Sequence, residues 1–144
     1  HQFWMNEAIN LAKSTNTDIP IAALITKNNI LIGSGVNEIE KRKDATLHAE
    51  MIAIKKASEH LNDWRLNDCI LYTTLEPCAM CTGAIINSRI QKVVFGAYDL
   101  EQGACGSKTN LPYDLEKNKV EIISGILEIE CSTLLKEFFK KTRT

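Results

Sequence analysis

The chain has 144 residues, a net charge of −1, and 44% hydrophobic against 24% charged residues. That length suits one domain, residues 1–144, and the balance is globular rather than disordered or fibrous. No apolar run nears the roughly 20 residues that span a bilayer, and the overall charge does not advertise nucleic-acid binding.

The start, "HQFWMNEAIN", shows no basic segment followed by an apolar one, so no signal peptide is visible. Trp4, Ala8, Leu11, Ala12 and Thr15 fall at helical spacing and predict an amphipathic helix over 3–15. "IPIAALIT" and "ILIGSGV" are apolar runs split by Lys27-Asn28-Asn29, a hairpin pattern. Residues 48–61 lack Gly and Pro and are mostly good helix formers. "CILYTTL" reads as a buried strand. Pro77 suits the first turn of a helix that runs to about Ser88. "KVVFGA" is a further strand, 103–118 reads as mixed loop, and "KVEIIS" as a short strand. Leu127, Cys131, Leu134, Leu135, Phe138 and Phe139 put one apolar stripe on a last helix. Strands alternating with helices predict a layered α/β sheet covered on both faces, and the opening hairpin makes it mixed.

The five cysteines are Cys69, Cys78, Cys81, Cys105 and Cys131. An odd count in a chain with an ample core points to a reducing, intracellular setting. Two basic clusters stand out, Lys41-Arg42-Lys43 and Lys140, Lys141 with Arg143; each by itself reads as solvated surface.

"EPCAMC" sets two cysteines three apart. At i and i+3 in a first helical turn both thiols face one way, and a helix N-terminus favours thiolates. A redox pair, two inert cysteines and half of a zinc site all fit this pair alone. His48, in "HAE" at the start of another helix, adds to it: two strands of one sheet can deliver two helix N-termini to one edge. His48, Cys78 and Cys81 would then converge on one ion. Zinc takes such N and S ligands, and three protein ligands leave a position for water, the catalytic pattern. His60 lies roughly 18 Å from His48 by helix rise, and Cys69 sits at the far end of its strand. Glu50, beside the ion without ligating it, can take a proton from an activated water and return it to a leaving group.

His-x-Glu with Pro-Cys-x-x-Cys is the signature of zinc nucleobase deaminases. "LEPCAMCTGAIINSRIQKVVFGAYD" with "GACGS", together with "FWMNEAINLAK", "DIPIAALI" and "STLLKEFFKKTR", resembles the bacterial tRNA-specific adenosine deaminases over nearly the whole chain. The resemblance implies a cytidine deaminase-like three-layer α/β/α sandwich around a five-stranded mixed sheet. It implies a cytoplasmic homodimer with one zinc ion per subunit and active sites near the interface. The implied partner is a tRNA anticodon stem-loop, chiefly arginine tRNA with anticodon ACG. Its wobble adenosine would become inosine by attack of a zinc-activated water at C6, with Glu50 protonating N1 and then the departing amine.

Further positions carry over from the family one at a time. Asn37 matches the asparagine that hydrogen-bonds the target base; alone it would read as a turn residue. Ala49 matches a backbone contact to the base, and Ile19 and Pro20 match the apolar pocket wall. Asp18 matches an acidic position there, usually Glu. Leu75 and Glu76 would line the entry, Asp99 would lie near the sugar, and Ser107 falls in the matching loop. Lys140, Lys141 and Arg143 would contact the RNA backbone.

Some positions depart from the family. Ala22 replaces a glycine, adding a methyl that would narrow the pocket. Ala45 and Leu47 alter the loop before His48. Asn118 and Lys119 replace a histidine and arginine before the last strand, in a loop that frames the RNA. Deamination of a free base or nucleotide (guanine, cytosine or dCMP type) is the alternative activity. A zinc-stabilised binding module is a third reading, against which Glu50 argues.

Overall fold

The structure, a computed structural model, describes residues 1–115 and 120–142. In chain order the elements are α1 (Gln2–Ala12), β1 (Ala22–Lys27), β2 (Ile30–Val36), α2 (Ile39–Arg42), α3 (Ala49–Leu61), β3 (Cys69–Leu75), α4 (Ala79–Asn87), β4 (Lys92–Ala97), α5 (Leu111–Leu115), β5 (Glu121–Ile123) and α6 (Glu128–Thr142). The strands form one five-stranded sheet in the order β2-β1-β3-β4-β5. β1 is antiparallel to both neighbours, whereas β3, β4 and β5 are parallel. Four strands therefore point one way, and the carboxyl ends of β2, β3 and β4 share an edge.

Alternation along the strands fills both faces, because successive side chains point to opposite sides. Ala23, Ile25, Leu71 and Val93 pack with Ala49, Ala53, Ala57 and Ile85, from α3 and α4. Leu24, Tyr72 and Val94 pack with Met5, Ala8, Ile9 and Cys131, from α1 and α6. The expected three-layer mixed sandwich is thus the observed fold.

One contact fixes where the site sits. α3 lies almost on the backbone of β2. A Cβ at Gly33 would stand 2.6 Å from the Ala53 carbonyl oxygen, and one at Gly35 would stand 2.6 Å from that of Ala49. Glycine on the strand and Ala49, Ala53 and Ala57 on the helix permit this approach. It seats the first turn of α3 over the carboxyl end of β2.

The differences from expectation are local. α1 ends at Ala12, not at residue 15. Pro77 stands before the helix rather than in its first turn, because Cys78 is the N-cap, in extended conformation. α2 and α5 were not expected. Each is a short piece held by an Asx residue: Asp18 receives the Glu40 and Lys41 N–H groups across the chain, and Asn110 receives the Tyr113 N–H. Asn118, Lys119 and Arg143 lie outside the described residues.

Candidate active site

His48 is the N-cap of α3 and Cys78 the N-cap of α4, and neither side chain caps its own helix. Both are thereby left to face each other. The Nδ1 of His48 lies 3.6 Å from the sulfur of Cys78 and 3.5 Å from that of Cys81. All three donor atoms lie within 4.8 Å of one another.

This geometry fits a metal. Bonds of about 2.0 Å to nitrogen and 2.3 Å to sulfur, at a tetrahedral angle, set the two donors about 3.5 Å apart. Protonation fits too. The Cys78 thiol is pulled down to about 4, first by the hydrogen bond from Cys81 and also by His48. Cys81 is pushed up, first because it holds the proton shared with Cys78, then by burial. His48 is raised by its hydrogen bond to Cys78. One thiolate, one thiol and an imidazole compete for protons at a point where a cation would replace them.

Glu50 sits two residues into the same helix end, only 4% exposed. Burial pushes its carboxyl up to about 7. Within reach of neutral pH, such a group can both take and give a proton.

A cleft of about 570 Å³ opens over this cluster. His48, Glu50 and Cys78 line it, with Asn37, Ile19, Leu75, Glu76 and Asp99. The Oδ1 of buried Asn37 accepts the Ala49 N–H at 3.0 Å. That bond orients the carboxamide, so its N–H₂ end is the one turned to the cleft. Ala49 itself is fully buried beneath it.

Other expected contacts fall elsewhere. Asp18 and Pro20 are buried and do not line the cleft. The Asp18 carboxylate is used in capping α2, which places Ile39 in the cleft wall. Ala22 is likewise buried off the cleft, its N–H bonded to the Thr74 hydroxyl, so its methyl does not narrow the cavity. Ser107 faces Glu76 rather than the cavity. Lys140 and Lys141 lie exposed on the last turn of α6, whose Leu135 and Phe139 reach the cleft.

Glu76 proves to be a hub. Its Oε1 accepts the Asp99 N–H at 3.2 Å and the Ser107 hydroxyl. Its Oε2 accepts the Cys105 and Ser107 N–H groups, both at 3.1 Å. Gly103 presses against it so closely that a Cβ would stand 2.4 Å from the Glu76 carboxyl carbon. The Ala104 N–H bonds the Pro77 carbonyl at 2.8 Å. The turn carrying Cys78 and the loop 98–107 are therefore one hydrogen-bonded unit. Both Glu76 oxygens are committed to that loop.

Sequence reasoning did not single out Ile39, Tyr98, Leu100, Glu101 and Gln102 in the cleft wall. Their position was signalled by topology: residues after β2 and after β4 fall at the carboxyl edge, where open α/β sheets bind ligands.

The MafB19-like deaminase family matches residues 1–143. A tRNA-specific adenosine deaminase of Bacillus subtilis is 41% identical over 99% of this chain and 90% of its own length. A solved structure from studies of A-to-I editing by tRNA:A34 deaminases superposes with a TM-score of 0.86 at 31% identity, covering 94% of this chain and all of that one. A guanine deaminase of Nitrosomonas europaea shares the fold at a TM-score of 0.82 and 25% identity, over 95% and 83% of the two chains. By sequence over nearly its full length and by fold, the chain belongs to the MafB19-like deaminases, among the bacterial tRNA-specific adenosine deaminases of the cytidine deaminase superfamily.

Proposed function

We propose that the protein hydrolyses the wobble adenosine of a tRNA anticodon to inosine, acting chiefly on arginine tRNA with anticodon ACG. The observation that carries this reading is the meeting of His48, Cys78 and Cys81 at the floor of a cleft whose buried acid is Glu50. The relatives' substrate directs the chemistry to adenosine in tRNA.

His48 Nδ1 and the Cys78 and Cys81 sulfurs would hold zinc. When bound, zinc supplies the Lewis acidity that makes water a nucleophile near neutral pH. Glu50 takes the proton of the attacking water and passes it to N1 of the adenine as C6 becomes tetrahedral. It then carries the second proton to the amine, which leaves as ammonia. Asn37 holds the flipped base through its carboxamide N–H₂, and the backbone at Ala49 contacts the base from below. Ile19 and Leu75 supply apolar walls that exclude water from the slot. An anticodon loop is already single-stranded, so its bases splay out at modest cost. Asp99 faces the sugar, and Lys140, Lys141 and Arg143 approach the phosphates.

We further propose one cytoplasmic domain acting as a homodimer with one zinc per subunit. All five cysteines are free, as a reducing compartment keeps them. Among the described residues no helix is long and apolar enough to cross a membrane.

The test is inosine formation at the wobble position of purified ACG stem-loop, run beside ammonia release from guanine and cytosine. Inosine without release from the free bases supports the reading. Release from a free base with no inosine transfers the activity to the alternative substrate class.

A further inference from the structure

The mouth of the cleft carries an aromatic ring that the chemistry above does not use. Tyr98 follows β4 directly and lines the cleft, yet it is 43% exposed. It is not a loose surface side chain. Its hydroxyl donates to the Ser124 hydroxyl oxygen at 3.0 Å. Its ring meets buried Phe95 edge to face, with centroids 5.2 Å apart at 90°. Gly125, at φ +76, brings the backbone so near that a Cβ there would stand 3.3 Å from the Tyr98 oxygen. Three contacts, one from β4 and two from the β5–α6 connection, thus hold a half-exposed ring still at the entrance to a catalytic cleft. Leu100, 76% exposed, extends the same apolar lip.

A fixed ring costs little conformational entropy on binding, and a nucleobase is the partner whose flat face it fits. A flipped target base leaves its neighbours in the strand unstacked on one side. Their new stacking partner must lie at the cleft mouth, within one nucleotide of the slot.

Resting on the adenosine deaminase reading, we propose that Tyr98 is a stacking platform for the base adjacent to the target adenosine. The ring positions the strand and does not touch the reacting atoms. It therefore sets KM for the RNA, and kcat follows Glu50.

The test is a cycle of protein and RNA changes on the ACG stem-loop, with inosine as readout and kcat and KM measured separately. Tyr98→Ala raises KM about 10-fold, the scale of one base–aromatic stack, with kcat within about twofold. Tyr98→Phe keeps the ring and restores KM to within about twofold of the parent, which separates stacking from the Ser124 hydrogen bond. In RNA that is abasic on the 5′ or 3′ side of the target, one of the two positions raises KM for the parent by the same factor and adds nothing further to Tyr98→Ala. An unchanged KM in Tyr98→Ala overturns the proposal, as does a loss that is equally large on intact and on both abasic RNAs. A parent protein that forms no inosine on intact RNA, yet releases ammonia from guanine, overturns the tRNA adenosine reading and this inference with it.

Discussion

Two cavities open on opposite edges of the sheet, and the larger one is the less equipped. The cavity at the amino ends of β3 and β4, about 660 Å³, is lined by residues such as Asp68, Arg89, Gln91 and Lys92. Its charges are largely answered in place: Lys92 pairs with Glu121 at 3.4 Å, and the Arg89 guanidinium lies 5.1 Å from the Trp64 ring. The cleft at the carboxyl edge, about 570 Å³, gathers the N-terminal turns of α3 and α4, with buried Glu50 and Asn37. Volume alone does not make a site. Parallel strands deliver helix N-termini to one edge only, and those turns carry the donor atoms and the acid.

That contrast yields a graded series. Cys81→Ser should have the largest effect. It removes one of two thiolates from a three-ligand set, so metal content measured by atomic emission falls from about one zinc per chain to near zero and inosine formation ceases. Glu50→Gln should keep the zinc while kcat falls by about 10²–10⁴-fold, the usual worth of a placed acid–base group. Together the two variants separate metal holding from proton transfer.

Glu76→Gln tests the coupling between the ligand turn and the loop 98–107. Its amide N–H₂ would face backbone N–H groups that now donate to a carboxylate, at a cost of about 1–3 kcal/mol. Zinc should be retained, the thermal midpoint should fall, and limited proteolysis should cut first within 98–107. KM should rise more than kcat falls, because the loop forms the cleft wall. At the other edge, Gln91→Ala removes an exposed side chain and should leave stability within about 0.5 kcal/mol and turnover unchanged. A loss of turnover there would break the comparison.

Short-range signals were the legible ones. His48 and Cys78 each directly precede a helix, so their placement at two N-termini followed from the sequence between helix starts. The alternation Ala23-Leu24-Ile25 announced a strand buried on both faces, and both faces are covered. What stayed hidden depends on partners distant in the chain. The Asp18 carboxylate caps a helix 22 residues on, and Glu76 binds a loop 23 to 31 residues on. No local pattern reveals either pairing: Asp18 resembled a pocket residue and lies off the cleft, whereas Glu76 does line it, with both carboxylate oxygens bonded to the loop. α5 escaped because five residues give too little periodicity to read. Tyr98 escaped because an aromatic after a strand reads as ordinary packing until its exposure is seen.

The central claim is that this cleft deaminates adenosine in RNA. Its most direct measurement is mass spectrometry of nucleosides from an ACG anticodon stem-loop incubated with the zinc-loaded protein. The account predicts inosine replacing the wobble adenosine in the parent, and none with Glu50→Gln at equal zinc content. Unaltered adenosine in the parent, with ammonia released from free guanine or cytosine, would contradict it.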